Sequence, residues 1–302
     1  MLTQSAPLAR FLNGAVVPVW DIKDMRLTRG LEQTIVYLFK DLPSAQSGDG
    51  DRGATGFWVY AETTAGRMPF IVTNRHVIED GSTSIRFTSA HGYTITSAGD
   101  NLIWHSLSDN NADVAVAFAS AEDVGHATGL LFPTTEFVMQ DDIANLDIRF
   151  GDDVAMVGRH LNFDGKLTND PTARFGHIVQ FPGSPIQDER GRSHPAYLIQ
   201  TPSLPGFSGS PVFLIQNEAE KERENSKMIF NKPARVPKLL GINIGHIPAY
   251  SPTYMASSGT RNEYVNAETN SGIIVVQPAW VIKATILDLL SKLEIPSHIA
   301  KY

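Results

Sequence analysis

The sequence predicts an all-β protein built from two similar antiparallel barrels, followed by a C-terminal helix. Short apolar runs rich in Val, Ile, Phe, Tyr and Thr recur along the chain, as is typical of strands. Turn residues, mainly Gly, Asp, Ser and Pro, separate these runs. The pattern stops over residues 120–150 and then resumes in the same style. Two β-rich units therefore fit the pattern better than a sheet with helices between its strands.

The predicted strands fall on either side of this break. In the first half they are EQTIVYLF, GATGFWVYAET, PFIVTNRHVI, TSIRFTS, GYTITSA and ADVAVAFA. In the second half they are GDDVAMVGRH, ARFGHIVQF, AYLIQTPS, GSPVFLIQ, KLLGINIGH and SGIIVVQP. We predict one functional domain with four parts, which are an N-terminal extension over 1–28, a first barrel over 29–125, a connection over 126–150 and a second barrel with the helix over 151–302.

The last predicted element is a helix within PAWVIKATILDLLSKLEI. Pro278 precedes it, which favours a helix start, and its apolar residues recur at the helical period. These apolar positions are Val281, Ile282, Ile286, Leu289, Leu290 and Leu293. We expect this helix to pack on the second barrel.

Composition excludes several classes of function. The net charge of −7 provides no basic surface for a phosphate backbone, so we expect no nucleic-acid partner. The absence of cysteine excludes disulfides, thiolate zinc sites and a cysteine nucleophile. The histidines lack metal-ligand spacing, so we expect no metal and no other cofactor. No apolar run reaches the roughly 18 residues of a membrane span, and no signal peptide is visible, so we expect a cytoplasmic protein without a membrane partner.

Two long segments interrupt the strands of the second half. Residues 216–238 are densely charged, and residues 247–271 are polar and rich in turn residues. Loops of this length are uncommon unless they are functional or mobile. We therefore predict two loops here and regard both as candidate surfaces for a regulatory partner.

Residues 201–213, TPSLPGFSGSPVF, place two serines in a glycine-rich turn. Such a turn can expose one hydroxyl as a nucleophile, but it is also what an ordinary turn between strands looks like. A serine hydroxyl is a weak nucleophile at neutral pH unless a base activates it and a third group orients that base. The motif alone therefore does not show whether Ser208 or Ser210 is a nucleophile, and other residues of the chain are needed to decide.

The candidate base and orienting group follow from strand ends in the first half. His76 comes directly after an apolar strand in FIVTNRHVI, and Asp113 opens the apolar strand in NNADVAVAFA. Asp100 and Asp109 are alternatives to Asp113, but both stand in turn-like surroundings where an aspartate caps or is solvated. Asp113 is favoured because a carboxylate beside an apolar run requires a partner.

The order His76, Asp113, Ser208 is that of the chymotrypsin clan. TNRHVI, ADVAV and GFSGSP resemble the histidine, aspartate and serine signatures of that clan. The resemblance extends to the protease domain of the HtrA family and related bacterial trypsin-like peptidases. It is carried by GDDVAMVGRH, IQTPSLPGFSGSPV, LLGIN and GIIVVQPAWVIKATI, and it covers most of residues 50–292. It implies two six-stranded barrels with the active site in the cleft between them.

The resemblance also implies roles. Ser208 would be the nucleophile of a serine endopeptidase, His76 its general base and Asp113 the residue that orients His76. The N–H groups of Gly206 and Ser208 would form the oxyanion hole. The substrate would be a protein or peptide. The alternative is a catalytically silent or latent trypsin-like fold that acts as a protein-binding module.

The resemblance implies a substrate pocket between residues 201–204 and the strand around Ile242 to His246. The residues predicted to contact substrate there are Ser203, Leu204, Asn243, Ile244 and His246. No acidic residue stands near Pro202, so a preference for Lys or Arg is not predicted.

Two residues depart from the family pattern. Phe207 stands where asparagine is usual, and Ser210 stands where a second glycine is usual and is expected to be a small packing residue. Phe207 cannot pair with a freed N-terminus as the aspartate of vertebrate trypsins does, so activation of that type is not expected. Because Tyr302 ends the chain soon after the helix, we also expect no PDZ domain.

Overall fold

The structure of the chain is a computed structural model. It describes residues 31–48, 53–64, 66–108, 112–119, 121–127, 131–187, 191–202, 204–215, 237–255 and 263–295. The predicted N-terminal extension and most of the charged segment 216–238 lie outside these ranges.

The first half of the chain forms a curled, eight-stranded sheet. Its strands are β1 (Ile35–Phe39), β2 (Ala54–Thr63), β3 (Gly66–Thr73), β4 (Ser84–Thr88), β5 (Thr94–Ser97), β6 (Ile103–His105), β7 (Ala115–Phe118) and β8 (Phe132–Pro133). Their order is β5-β4-β1-β2-β3-β7-β6, all antiparallel, while β8 pairs with β2 in parallel. In the described ranges this unit is a half-barrel rather than the closed six-stranded barrel that the resemblance implies.

The second half forms a closed antiparallel barrel of six strands. These are β9 (Asp153–Gly158), β10 (Thr172–Gln180), β13 (Tyr197–Gln200), β14 (Pro211–Leu214), β15 (Lys238–Met255) and β16 (Glu263–Pro278). They close in the order β10-β13-β16-β15-β14-β9. A short hairpin, β11 (Ile186–Gln187) and β12 (Ser193–His194), is inserted between β10 and β13. The predicted all-β fold class is confirmed, whereas the predicted bounds of the two units stay a prediction.

The helices are short except for the last. They are α1 (Leu42–Ser47), α2 (Arg75–Glu79), α3 (Ala121–Ala127), α4 (Asp142–Asn145) and α5 (Ala279–Lys292). Pro278 caps α5 in an extended conformation, as the sequence predicts. Within the described ranges, every helix is too short or too polar to span a bilayer.

A shared core joins the two units. On β2, alternate residues face opposite sides because the side-chain period of a strand is two. Phe57 and Val59 join a cluster that also holds Phe213 of β14 and Ile286 of α5, whereas Trp58 packs in the separate core of the first sheet. The helix therefore packs on the second barrel, as expected from the sequence, and also on the first unit. Leu293, predicted to belong to its apolar face, is about half exposed where the helix ends.

The described residues of the segment 247–271, which are 247–255 and 263–271, form strands rather than the predicted loop. Strand β15 continues to Met255, and β16 begins at Glu263. The two strands pair along this length, and their last pair is Met255 with Glu263. The two strands form a long ribbon that extends the barrel. Sequence reasoning missed this ribbon because its composition is polar, whereas cross-strand hydrogen bonds rather than apolar alternation define it.

Candidate active site

His76 and Asp113 form a directly hydrogen-bonded pair. His76 lies on α2, which follows β3 after one extended residue, Asn74. Its Nδ1 lies 2.6 Å from Asp113 Oδ2, and its backbone N–H donates to Asp113 Oδ1 at 2.9 Å. The Asp113 side chain is only 3% exposed and that of His76 is 19% exposed. One buried carboxylate thus fixes both the ring and the backbone of the histidine.

The backbone of Asp113 is held on both sides. Its carbonyl oxygen accepts a hydrogen bond from Asn74 Nδ2 at 3.1 Å and from the Arg75 N–H at 3.3 Å. Its N–H donates to Gln277 Oε1 at 2.8 Å, at the end of β16. Because residues of both units bind it, Asp113 is positioned relative to both units.

Arg192 was not identified from the sequence. Its Nη1 donates to Asp113 Oδ1 at 3.0 Å, and its Nη2 bonds Glu79 Oε2. Hydrogen bonds from Arg75 and Arg192 outweigh partial burial, which acts in the opposite sense, and they lower the pKa of Glu79 below its usual range. Arg192 lies 79 residues from Asp113 along the chain, so no local motif could have revealed this contact.

The serine turn is built around two glycines with left-handed backbones. Gly206 has φ +98°, and a Cβ there would lie 2.6 Å from the Arg159 carbonyl oxygen. Gly209 has φ +83°, and a Cβ there would lie 2.0 Å from the Thr55 carbonyl oxygen. Both positions therefore require glycine for conformation and for space.

Thr55 of β2, in the first sheet, forms hydrogen bonds with this turn. Its N–H donates to the Ser208 carbonyl oxygen at 2.8 Å, and its hydroxyl donates to the Gly206 carbonyl oxygen at 2.8 Å. Its own carbonyl oxygen accepts from the hydroxyl of Thr73, the last residue of the strand that precedes His76. Thr55 thus links the serine turn to β3, the strand that precedes His76.

The two serines occupy different environments. Ser210 is fully buried, and its Oγ lies 2.0 Å from where a Cβ on Gly158 would stand. Within the described part of the chain this Oγ has no hydrogen-bond partner. Ser208 is partly exposed at the surface of the turn. Of the two hydroxyls, that of Ser208 is therefore the accessible one.

Phe207 anchors the turn in the core of the second barrel. It is fully buried, with its ring centroid 6.3 Å from that of His160, and Arg174 Cζ lies 5.4 Å from the centroid of the Phe207 ring. The departure from the family pattern thus replaces a polar side chain with an apolar anchor. Burial of an aromatic ring is among the larger single contributions to a core.

Two groups of possible hydrogen bonds in the serine turn are not formed among the described residues. The N–H groups of Gly206 and Ser208 donate to no acceptor among the described residues. Ser208 Oγ forms no hydrogen bond with His76, although both residues are described.

The described residues among the predicted substrate contacts lie in different environments. Leu204 packs on the second-barrel core, Ile244 is half-buried and His246 is exposed, whereas Ser203 lies outside the described residues. Asn243 is buried, and its Nδ2 donates to the Phe207 carbonyl oxygen at 2.9 Å. The Asn243 amide therefore supports the serine turn from within.

Of the two alternatives to Asp113, only Asp100 lies among the described residues. Asp100 lies in a 3-10 turn, Gly99–Asn101, and Asp109 lies outside the described residues. Over the described ranges, no group of three or more His, Asp or Glu side chains could hold a metal ion.

This pairing of a half-barrel and a closed barrel around a buried His–Asp pair defines a trypsin-like fold. A family model of the trypsin-like peptidase domain matches residues 54–219, which is more than half of the chain. The chain therefore belongs to the trypsin-like peptidase family, and the resemblance based on its motifs is confirmed.

Two solved structures are similar to the chain. The crystal structure of Deg5 shares 14% identity at a TM-score of 0.48, over 89% of this chain and 95% of Deg5. The HtrA-type protease AlgW, solved with a decapeptide, shares 15% identity at a TM-score of 0.45, over 88% of this chain and 66% of AlgW. No curated protein sequence matches the chain significantly.

Proposed function

We propose that the protein is a serine endopeptidase with His76, Asp113 and Ser208 as its catalytic residues. The observation that carries the proposal is the buried Asp113 carboxylate at 2.6 Å from His76 Nδ1. An aspartate in this position fixes the tautomer that leaves Nε2 free to accept a proton, and it stabilises the imidazolium that follows. The membership of the trypsin-like peptidase family supports the same assignment.

The reaction divides into two acyl transfers. Ser208 Oγ attacks the scissile carbonyl carbon while His76 Nε2 takes the hydroxyl proton, and the proton then passes to the leaving amine as the C–N bond breaks. A water molecule attacks the resulting ester with His76 again as base, and the Ser208 hydroxyl is restored. The contact between Ser208 and His76 would form when substrate binds, since catalytic hydrogen bonds are often long in unliganded enzymes.

The oxyanion is assigned to the N–H groups of Gly206 and Ser208. Neither donates to an acceptor in the described ranges, so both remain available to a ligand. The positive φ of Gly206 sets the local direction of the backbone, and the Thr55 hydroxyl holds the Gly206 carbonyl oxygen by a hydrogen bond. Loss of one such donor commonly reduces kcat by about 10²- to 10³-fold.

A fluorophosphonate probe tests the nucleophile, because it reacts covalently with activated serines. We expect wild type to be labelled at Ser208 and Ser208→Ala to lose labelling, with peptidase kcat reduced by about 10⁶-fold. Ser210→Ala is the matched control, since its hydroxyl is buried within the same turn. Labelling that persists in Ser208→Ala and disappears in Ser210→Ala would contradict the assignment.

A second candidate is a latent trypsin-like fold that binds proteins without cleaving them. The missing hydrogen bond between Ser208 Oγ and His76 favours it. In that case wild type would resist the probe and leave casein uncut, and Ser208→Ala would bind a co-purifying partner as tightly as wild type does.

A further inference from the structure

A charged cluster lies behind the His76–Asp113 pair. Arg192 immediately precedes β12, and its side chain is 9% exposed. Its guanidinium joins two carboxylates, Asp113 at 3.0 Å and Glu79 through the other terminal nitrogen. A guanidinium presents its donors in a rigid fork, so bonds to two carboxylates fix its orientation.

We propose that Arg192 is a positioning residue that holds Asp113 in register with His76. The proposal rests on the proposed peptidase function. It assigns a role in catalysis to the β11–β12 hairpin, which contains none of the three proposed catalytic residues.

The first argument is geometric. Asp113 Oδ1 accepts from the His76 backbone N–H and from Arg192, which leaves Oδ2 directed at His76 Nδ1. The hairpin also reaches Asp113 by a second route, since Gln277 binds the Asp113 N–H at 2.8 Å and its Nε2 lies 3.4 Å from His194 Nδ1. Arg192 therefore ties an aspartate of the first unit to the barrel that carries Ser208.

The second argument is electrostatic. Among the described residues, Arg192 pairs with Asp113 and Glu79, and Arg75 Nε lies 2.7 Å from Glu79 Oε1. Arg192 places its positive charge beside Asp113 Oδ1. Removal of Arg192 would take this charge away, so the negative charge of Asp113 would favour a proton on His76 more strongly than in wild type.

The proposal is tested with Arg192→Met, which retains much of the apolar stem and removes the charge. We expect kcat to fall about 10²-fold through misplacement of the histidine, while KM stays nearly constant. Arg192→Lys keeps the charge but cannot bridge both carboxylates, so we expect a loss of about tenfold. Arg149→Met is the control, because Arg149 pairs with the exposed Asp147.

A second readout does not depend on turnover. The ring ¹⁵N shifts of His76, followed by NMR in the full chain, report the pH at which the ring gains a proton. Asp113 faces the ring directly, and Arg192, Glu79 and Arg75 lie behind it. We expect the midpoint to rise by about one pH unit in Arg192→Met and to stay near the wild-type value in Arg192→Lys.

An unchanged midpoint in a folded Arg192→Met variant would overturn the proposal. If that variant fails to fold, a wild-type kcat in Arg192→Lys would overturn it instead. A wild type that the fluorophosphonate does not label contradicts the peptidase function alone, because the His76 titration still tests Arg192.

Discussion

The two halves of the candidate site are held in place by different forces. Charged and polar hydrogen bonds from distant parts of the chain surround the His76–Asp113 pair, including one from Arg192. The serine turn depends instead on glycine conformation, backbone hydrogen bonds and one buried ring, Phe207. The comparison implies that charge changes will affect the first half, whereas changes in volume and backbone conformation will affect the second.

The largest stability effect is expected at Phe207. Replacement by alanine removes a fully buried ring, which typically costs 3–5 kcal/mol, about 4 kcal/mol here, and it frees the turn that carries Ser208. Phe87→Ala is the control, since Phe87 is equally buried in the separate core of the first sheet. Urea unfolding should show similar losses of stability in both variants. At urea concentrations below the unfolding transition, only Phe207→Ala should have a lower kcat. An equal loss of kcat in both variants would contradict a specific role of Phe207 in the serine turn.

A smaller effect is expected at Gly209. In Gly209→Ala the new Cβ would lie 2.0 Å from the Thr55 carbonyl oxygen, and alanine would have to adopt an unfavourable φ. We therefore expect the free energy of unfolding to fall by about 3 kcal/mol, together with lower activity. Gly151→Ala separates the two causes. Its φ is +87°, but nothing lies within 4 Å of the new Cβ, so the loss should be only about 1 kcal/mol. Equal losses in the two variants would show that conformation alone, not packing of the serine turn, is responsible.

The smallest effect is expected at a charged contact far more exposed than that of Arg192. Asp288 of α5 lies 2.9 Å from Lys292 Nζ and 2.7 Å from His105 Nε2. Hydrogen bonds from Lys292 and then His105 lower the pKa of Asp288. The contribution to stability is therefore present above the ordinary pKa of the carboxyl and is lost as the pH falls through the lowered value.

Asp288→Asn tests this contact. Because the carboxylate is 37% exposed, the free energy of unfolding at neutral pH should fall by less than about 1 kcal/mol. Urea denaturation at neutral and acidic pH measures the difference, which should vanish in acid. A loss that persists in acid would mean that packing, not charge, is responsible.

Much of the fold and the candidate residues could be predicted from the sequence. Strand periodicity predicted β-rich units, and Pro278 with the apolar period after it predicted the last helix. Motif order selected His76, Asp113 and Ser208, although their catalytic roles stay a prediction. The ribbon formed by β15 and β16 was missed because polar sequence carries little strand signal.

The sequence by itself determined which residue types stand at strand ends and where the turn requires glycine, because these depend on local conformation. Only the tertiary structure decided that Arg192 reaches Asp113, that Phe207 enters the barrel core and that Ser210 is buried while Ser208 is accessible. An arginine or a phenylalanine in a loop has no local signature that predicts its partner. Its partner depends on which distant segments the closed barrel brings within hydrogen-bonding or packing distance.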